Sequence, residues 1–351
     1  MSQERLIYLD ILKAIAIIGV IWIHVISGAF NFIDPKSISF KFYLVLDQIF
    51  RFSVPLFVAL SGYTLALKYE DFKVNLREFF TRRVIRILPW YLFWATFFLL
   101  YVKLTEPAYS SQYTLFEKYF LGRADYHLYF VPMIFQLYLL FPLLLFLLRR
   151  AKLGLLVGMF LFELGFYYFL TQVTEGSVTS DLFKTDQKQY VFFGTWVFYF
   201  LLGIYLRIKG NTLRALKYIS AVFLVASFSW VLFDSFKIVS ESGNLLAATR
   251  FTRIPVLFYA SSFIAFCLFF SQYLLRLPQK IVDMLVVAGK RSYVIYLLHT
   301  FVIRLAFEHI PFSGNLKVLA VATFTIVVSN FLAQIAIFTA LYLTRKVKLT
   351  G

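Results

Sequence analysis

A chain of 351 residues that is 61% hydrophobic, with 44 Phe, 23 Tyr and a mean hydropathy of +0.77, is too apolar for a water-soluble globular domain. Its net charge of +17 would suit nucleic acid, but most Lys and Arg fall in one alternate set of the loops between apolar stretches. That asymmetry is what the positive-inside rule produces, with anionic lipid as a further attraction, so membrane lipids and no nucleic acid are the expected partners.

Apolar stretches of about 20 residues recur along the chain, and in lipid only helices or a closed barrel satisfy the backbone. Segments such as FVALSGYTLAL and LYLLFPLLLFLL lack the alternation of barrel strands. The expectation is an all-α, polytopic membrane helix bundle with both termini cytoplasmic. About ten transmembrane helices are predicted, near 7–30, 44–67, 87–105, 127–148, 153–171, 190–208, 216–236, 253–275, 291–309 and 317–343, with 1–351 a single membrane domain. The loops at 31–43, 106–126, 172–189 and 237–252 read as connectors or as a lid or acceptor-binding surface. The lone Cys267 excludes an intramolecular disulfide. The first helix lacks a convincing small-residue cleavage site and is read as retained.

That first helix, LDILKAIAIIGVIWIHVISGAF, carries Asp10, Lys13 and His24. Ionisable groups near a bilayer centre cost about 3 kcal/mol each on insertion scales, and persist where they pair or line a cavity. Lys13 and His24 are 11 residues apart, close to three helical turns, so they share a face about 16 Å apart in level. Asp10 is placed to pair with Lys13. Two readings stay open: a functional polar stripe, or a snorkelling ion pair with a helix-packing histidine.

In the second helix Asp47 and Arg51 are spaced for a further pair, and Pro55 and Gly62 in SVPLFVALSGY loosen the helix or let a backbone approach. The basic loop after it ends in TRRVIRILPWY, where Arg82, Arg83 and Arg86 suit phosphate groups, lipid headgroups or plain topology. ADYHLYFVPMIFQLY then opens the fourth helix with His127 at the interface and Gln136 just inside. Glu163 is a carboxylate in the fifth helix with no evident partner. GKRSYVIYLLHTF places Ser292, Tyr293, Tyr296 and His299 at helical spacings in the ninth. The four histidines lack metal-ligand spacing, and a P-loop, a dinucleotide turn and a GxSxG elbow are all missing.

In order, YLDILKAIAIIGVIWIH, VPLFVALSGY, RRVIRILP, HLYFVP with Gln136, and GKRSYVIYLLH resemble the acyltransferase 3 family of integral membrane acyltransferases, and span residues 5–299. The VPLF form is most similar to short members without an appended extracellular domain, which include O-acetyltransferases and polysaccharide-adhesin membrane proteins. The resemblance implies transfer of an acyl group, most often acetyl from acetyl-CoA, to a hydroxyl of an envelope or secreted saccharide or a lipid-linked sugar. It matches His24 to the family's essential first-helix histidine and Arg83 and Arg86 to the RxxR pair connected with the acyl donor. Lys13 stands where the family usually has arginine, keeping the charge but losing the bidentate fork.

The expected catalytic set is therefore His24, Lys13, Asp10 and Arg51, with His24 as general base and Arg51 at the developing oxyanion. Arg82, Arg83 and Arg86 are the expected donor-binding residues. His127, Gln136, Ser292, Tyr293, Tyr296 and His299 are expected to meet the acceptor or support those that do. No metal and no tightly bound cofactor are expected, acyl-CoA being a substrate, and the oligomeric state is not readable. The alternative is a polysaccharide exporter or lipid-linked-sugar translocator.

Overall fold

A computed structural model describes residues 3–69, 74–150, 152–180, 183, 185–210 and 212–350. Its regular structure is helical. In chain order the helices are α1 (Gln3–Ala29), α2 (Ile38–Phe50), α3 (Ser53–Lys68), α4 (Leu76–Thr105), α5 (Pro107–Ser111), α6 (Leu115–Phe120), α7 (Phe130–Arg150) and α8 (Lys152–Thr174). They continue with α9 (Asp186–Val191), α10 (Val197–Lys209), α11 (Lys217–Ser242), α12 (Leu245–Ala248), α13 (Ile254–Phe270), α14 (Gln279–His309) and α15 (Gly314–Thr350). Among the described residues eight stretches are long and apolar enough to cross a membrane: Ile7–Ala29, Ile38–Lys68, Leu76–Thr105, Phe130–Leu148, Leu153–Thr174, Lys217–Ser242, Ile254–Arg276 and Gly314–Tyr342. The protein is a multi-pass membrane protein. The other two predicted spans coincide with α10, which has only 13 residues, and α14, which carries Asp283, Lys290, Arg291 and Arg304 along its length.

Several predicted boundaries move, three of them for the following physical reasons. The basic segment read as a loop is the start of α4, because Asn75 Oδ1 accepts from Glu78 N–H at 3.2 Å as a cap, and Glu78 then pairs with Arg82 one turn on. The second predicted helix is two. Pro55 in the first turn of α3 has no N–H to continue the ladder from α2, and the chain turns at Arg51 and Phe52. The sixth is broken between α9 and α10, and side chains answer the backbone groups so released. Gln136 donates to the Val191 carbonyl at 2.7 Å and accepts from Phe193 N–H at 3.2 Å. Trp196 Nε1 donates to the Tyr190 carbonyl at 2.8 Å. Glu163, fully buried, accepts from Phe198 N–H at 2.9 Å and so caps the first turn of α10, which supplies the partner its sequence position did not reveal.

The chain divides into two compact units, Met1–Ser53 with Ser271–Gly351, and Val54–Phe270. In the first, α1 packs along α14 and α14 along α15. The α1 contacts advance in the same sense along α14, with Asp10 at Gly289, His24 at His299 and Gly28 at Phe307, so the two helices run parallel. At Gly289 the backbones meet: a Cβ there would overlap the Asp10 carbonyl oxygen. Gly289→Ala is therefore expected to lower stability by about 1–3 kcal/mol, read as a fall in melting temperature in detergent. An unchanged melting temperature would contradict the contact.

The second unit is held by a matching approach of α3 and α10, where a Cβ at Gly62 would strike the Phe200 carbonyl and one at Gly203 the Ala59 carbonyl. Asp234 and Arg253, which blur the predicted ends of the seventh and eighth helices, form an ion pair of 2.6 Å, and the same guanidinium bonds Ser235 Oγ at 3.0 Å. The 106–126 loop is built rather than slack. It holds α5 and α6, and Thr114 and Glu117 form a capping box whose hydrogen bonds hold the Glu117 carboxyl below its ordinary range.

Candidate active site

The first unit gathers Asp10, Lys13, His24, Arg51, Ser292, Tyr293, Tyr296 and His299. α1 is continuous through all its polar residues, and α14 starts well before the predicted boundary at residue 291, so its histidine sits mid-helix with neighbours on several sides. His24 and His299 meet, ring centroids 5.2 Å apart and planes tilted by 42°. His299 is fully buried, and His24 is half-buried.

The backbone fixes the His299 tautomer. Its Nδ1 lies 2.6 Å from the Tyr296 carbonyl oxygen, three residues back on the same helix. A carbonyl only accepts, so Nδ1 carries the proton and the neutral ring keeps its lone pair on Nε2. The Tyr296 ring stands 5.8 Å away on the same side. An imidazole of set tautomer thus lies against a second, more accessible imidazole, an arrangement suited to taking up and returning a proton.

Asp10 and Lys13 form the expected pair at 2.9 Å on α1. At the end of α2, Arg51 binds Asp47 through Nε at 2.9 Å and through Nη2 at 2.6 and 2.7 Å, and Gln48 Nε2 donates to the same carboxylate at 2.8 Å. All three side chains are buried. Two of the Arg51 nitrogens are thereby committed to Asp47, which makes this cation an anchor for the end of α2. Gln48 escaped the sequence reading, because an amide beside an acid has no periodic signature.

In the second unit Arg82, Arg83 and Arg86 project from the early turns of α4. Arg82 pairs with Glu78, Arg86 is exposed, and half-buried Arg83 lies over two rings, 5.1 Å from the Phe79 centroid and 5.5 Å from that of Tyr138. The acyltransferase 3 family model, described as an acyltransferase domain, matches residues 6–339. The chain belongs to that family. It is a membrane acyltransferase. No curated protein and no solved structure matches it.

Two further predicted residues of this acyltransferase lie in the second unit, in settings the sequence did not suggest. His127 does not open a helix, since α7 begins at Phe130. It sits in a closed turn where Gly122 takes φ +68° and a Cβ there would press on the Leu128–Tyr129 backbone at 2.6 Å. Its Nδ1 is 3.1 Å from Asp125 Oδ2, both residues are 1% exposed, and Phe98 stands edge-on at 5.1 Å. The separation of two between Asp125 and His127 is the sequence signal for this contact. Gln136 is bound to the backbone on either side of Phe192, so its observed work is to hold the break before α10. Among the described residues no three His, Cys, Asp or Glu gather as a metal site.

Proposed function

We propose that this acyltransferase moves an acetyl group from acetyl-CoA to a hydroxyl of an envelope or secreted saccharide or a lipid-linked sugar, at the cell membrane. The observation that carries the reading is the contact of His24 with His299, whose tautomer the Tyr296 carbonyl sets. His24 is the more accessible of the two rings and takes the catalytic role.

In the proposed reaction the acceptor hydroxyl gives its proton to His24 as its oxygen attacks the thioester carbonyl. A C–O bond forms and a tetrahedral oxyanion develops. Collapse breaks the C–S bond, and the departing thiolate recovers the proton from the His24 imidazolium as free CoA. Arg83 and Arg86 take phosphates of the donor, for which the guanidinium fork is suited. Lys13 contributes charge beside Asp10 on the same helix as the base, without the two-point grip an arginine would have there.

The test is mass spectrometry of envelope glycans and secreted saccharides from cells with and without the protein. O-acetyl groups are expected to disappear from one glycan class when the protein is absent. Identical acylation in both strains would overturn the reading. Loss of a glycan from the surface with its acylation intact would favour a translocator.

A further inference from the structure

We propose that Lys68 completes the donor site as a third phosphate-binding cation beside Arg83 and Arg86, and that the site takes the multiply phosphorylated nucleotide of the acyl-CoA in preference to a lipid headgroup. The inference rests on the acyl-CoA reading of the arginines and adds a residue from a different helix.

Lys68 is the last residue of α3, and the arginines lie on the early turns of α4. By sequence it reads as one more topology charge. The structure joins it to Arg83 through an aromatic floor. Lys68 Nζ lies 5.3 Å from the Tyr69 ring centroid, as Arg83 lies over Phe79 and Tyr138. Beneath them Tyr69 meets Phe79 at 5.8 Å and Phe141 at 6.0 Å, and Phe79 stacks on Phe141 at 5.5 Å. Phe79 and Phe141 are fully buried, so the floor is fixed by core packing. Cation–ring contact occupies the flat face of a guanidinium and leaves its in-plane N–H edge as the side that bonds oxygens.

The charges of Arg82, Arg83 and Arg86 bear on the Lys68 ammonium, with that of Glu78 acting against them, so these side chains form one electrostatic group with an excess of positive charge. Arg82 has Glu78 as its counter-ion. Like charges assembled this closely repel, and the assembly becomes favourable when a polyanion enters. A phospholipid headgroup of one negative charge matches one such cation. The nucleotide of coenzyme A, with a 3′-phosphate and a pyrophosphate, matches the group.

The probe is adenosine 3′,5′-bisphosphate, titrated against the full-length protein in phosphatidylcholine nanodiscs. Lys68→Gln is expected to weaken binding about tenfold, the loss of one charge-assisted contact, and Lys68→Arg to restore it. Adenosine 5′-monophosphate is expected to bind more weakly than the bisphosphate to wild type and to lose less on Lys68→Gln. Lys68 is exposed, so the variant is expected to elute and melt as wild type does. Wild-type affinity in Lys68→Gln would overturn the inference while leaving the arginine site standing. No bisphosphate binding by wild type would overturn both it and the acyl-CoA reading of the arginines. Nanodiscs containing phosphatidylglycerol separate the two anion sources. Bisphosphate binding that survives there supports the nucleotide, and binding abolished there would assign the group to lipid.

Discussion

His24→Ala is expected to lower acyl turnover by about a hundred- to ten-thousandfold, the range that removal of a general base produces, with the KM for the donor unchanged. In the proposed mechanism the base acts on the acceptor proton in the transition state, whereas the arginines proposed for the donor phosphates lie on another helix, α4. The companion variants separate proton handling from packing. His299→Asn places an amide N–H where Nδ1 donates to the Tyr296 carbonyl, but provides no lone pair at the Nε2 end of the ring. Turnover by His299→Asn is expected to stay well below wild type with folding intact. Full activity in that variant would make His299 a packing residue, and full activity in His24→Ala would remove the base from the mechanism. Steady-state transfer by purified protein measures both.

Asp47→Ala carries the largest expected loss of stability. It strips Arg51 of the carboxylate that binds Nε and Nη2 while the guanidinium remains buried, which costs about 3–5 kcal/mol in comparable buried pairs. Asp47→Asn keeps the shape and one acceptor oxygen and is expected to fall between the two. Arg51→Met combined with Asp47→Ala removes both charges and is expected to recover much of the loss, because the penalty comes from a buried cation deprived of its carboxylate. Thermal unfolding in detergent measures the series. An Asp47→Ala protein that melts with wild type would show that the pair does not hold the end of α2.

Much of the architecture was legible because lipid reports itself in apolar runs. The polar stripe of α1 stood out for the same reason: Asp10, Lys13 and His24 are errors in such a run unless something meets them. What stayed hidden is decided outside the run. The early start of α4 depends on Asn75 and the Glu78–Arg82 pair, which read from sequence as a basic loop. The early start of α14 was masked by Lys290 and Arg291, residues that resemble a membrane boundary; Arg291 instead donates to Asn330 Oδ1 of α15 at 2.8 Å. The break before α10 needs Gln136 and Glu163 from two other helices, and no local pattern announces a partner so distant in sequence. The site divides in the same way. The D-x-H spacing of Asp125 and His127 was present but unread, while the meeting of His24 with His299 depends on how α1 packs along α14.

The parallel pairing of α1 with α14 also bears on how the protein is made. α1 is synthesised before α14, and the helix that meets His24 follows only after the segments between them. Asp10 and Lys13, 2.9 Å apart on one helix, are a pair that needs no later segment in order to form. Their pairing gives the young helix a nearly neutral apolar stretch to present to the insertion machinery. His24 is neutral in one of its ordinary states and completes its surroundings when α14 arrives. Of the polar contacts of α1, the Asp10–Lys13 pair thus forms within the helix, whereas the meeting of His24 with His299 comes only with the far end of the chain.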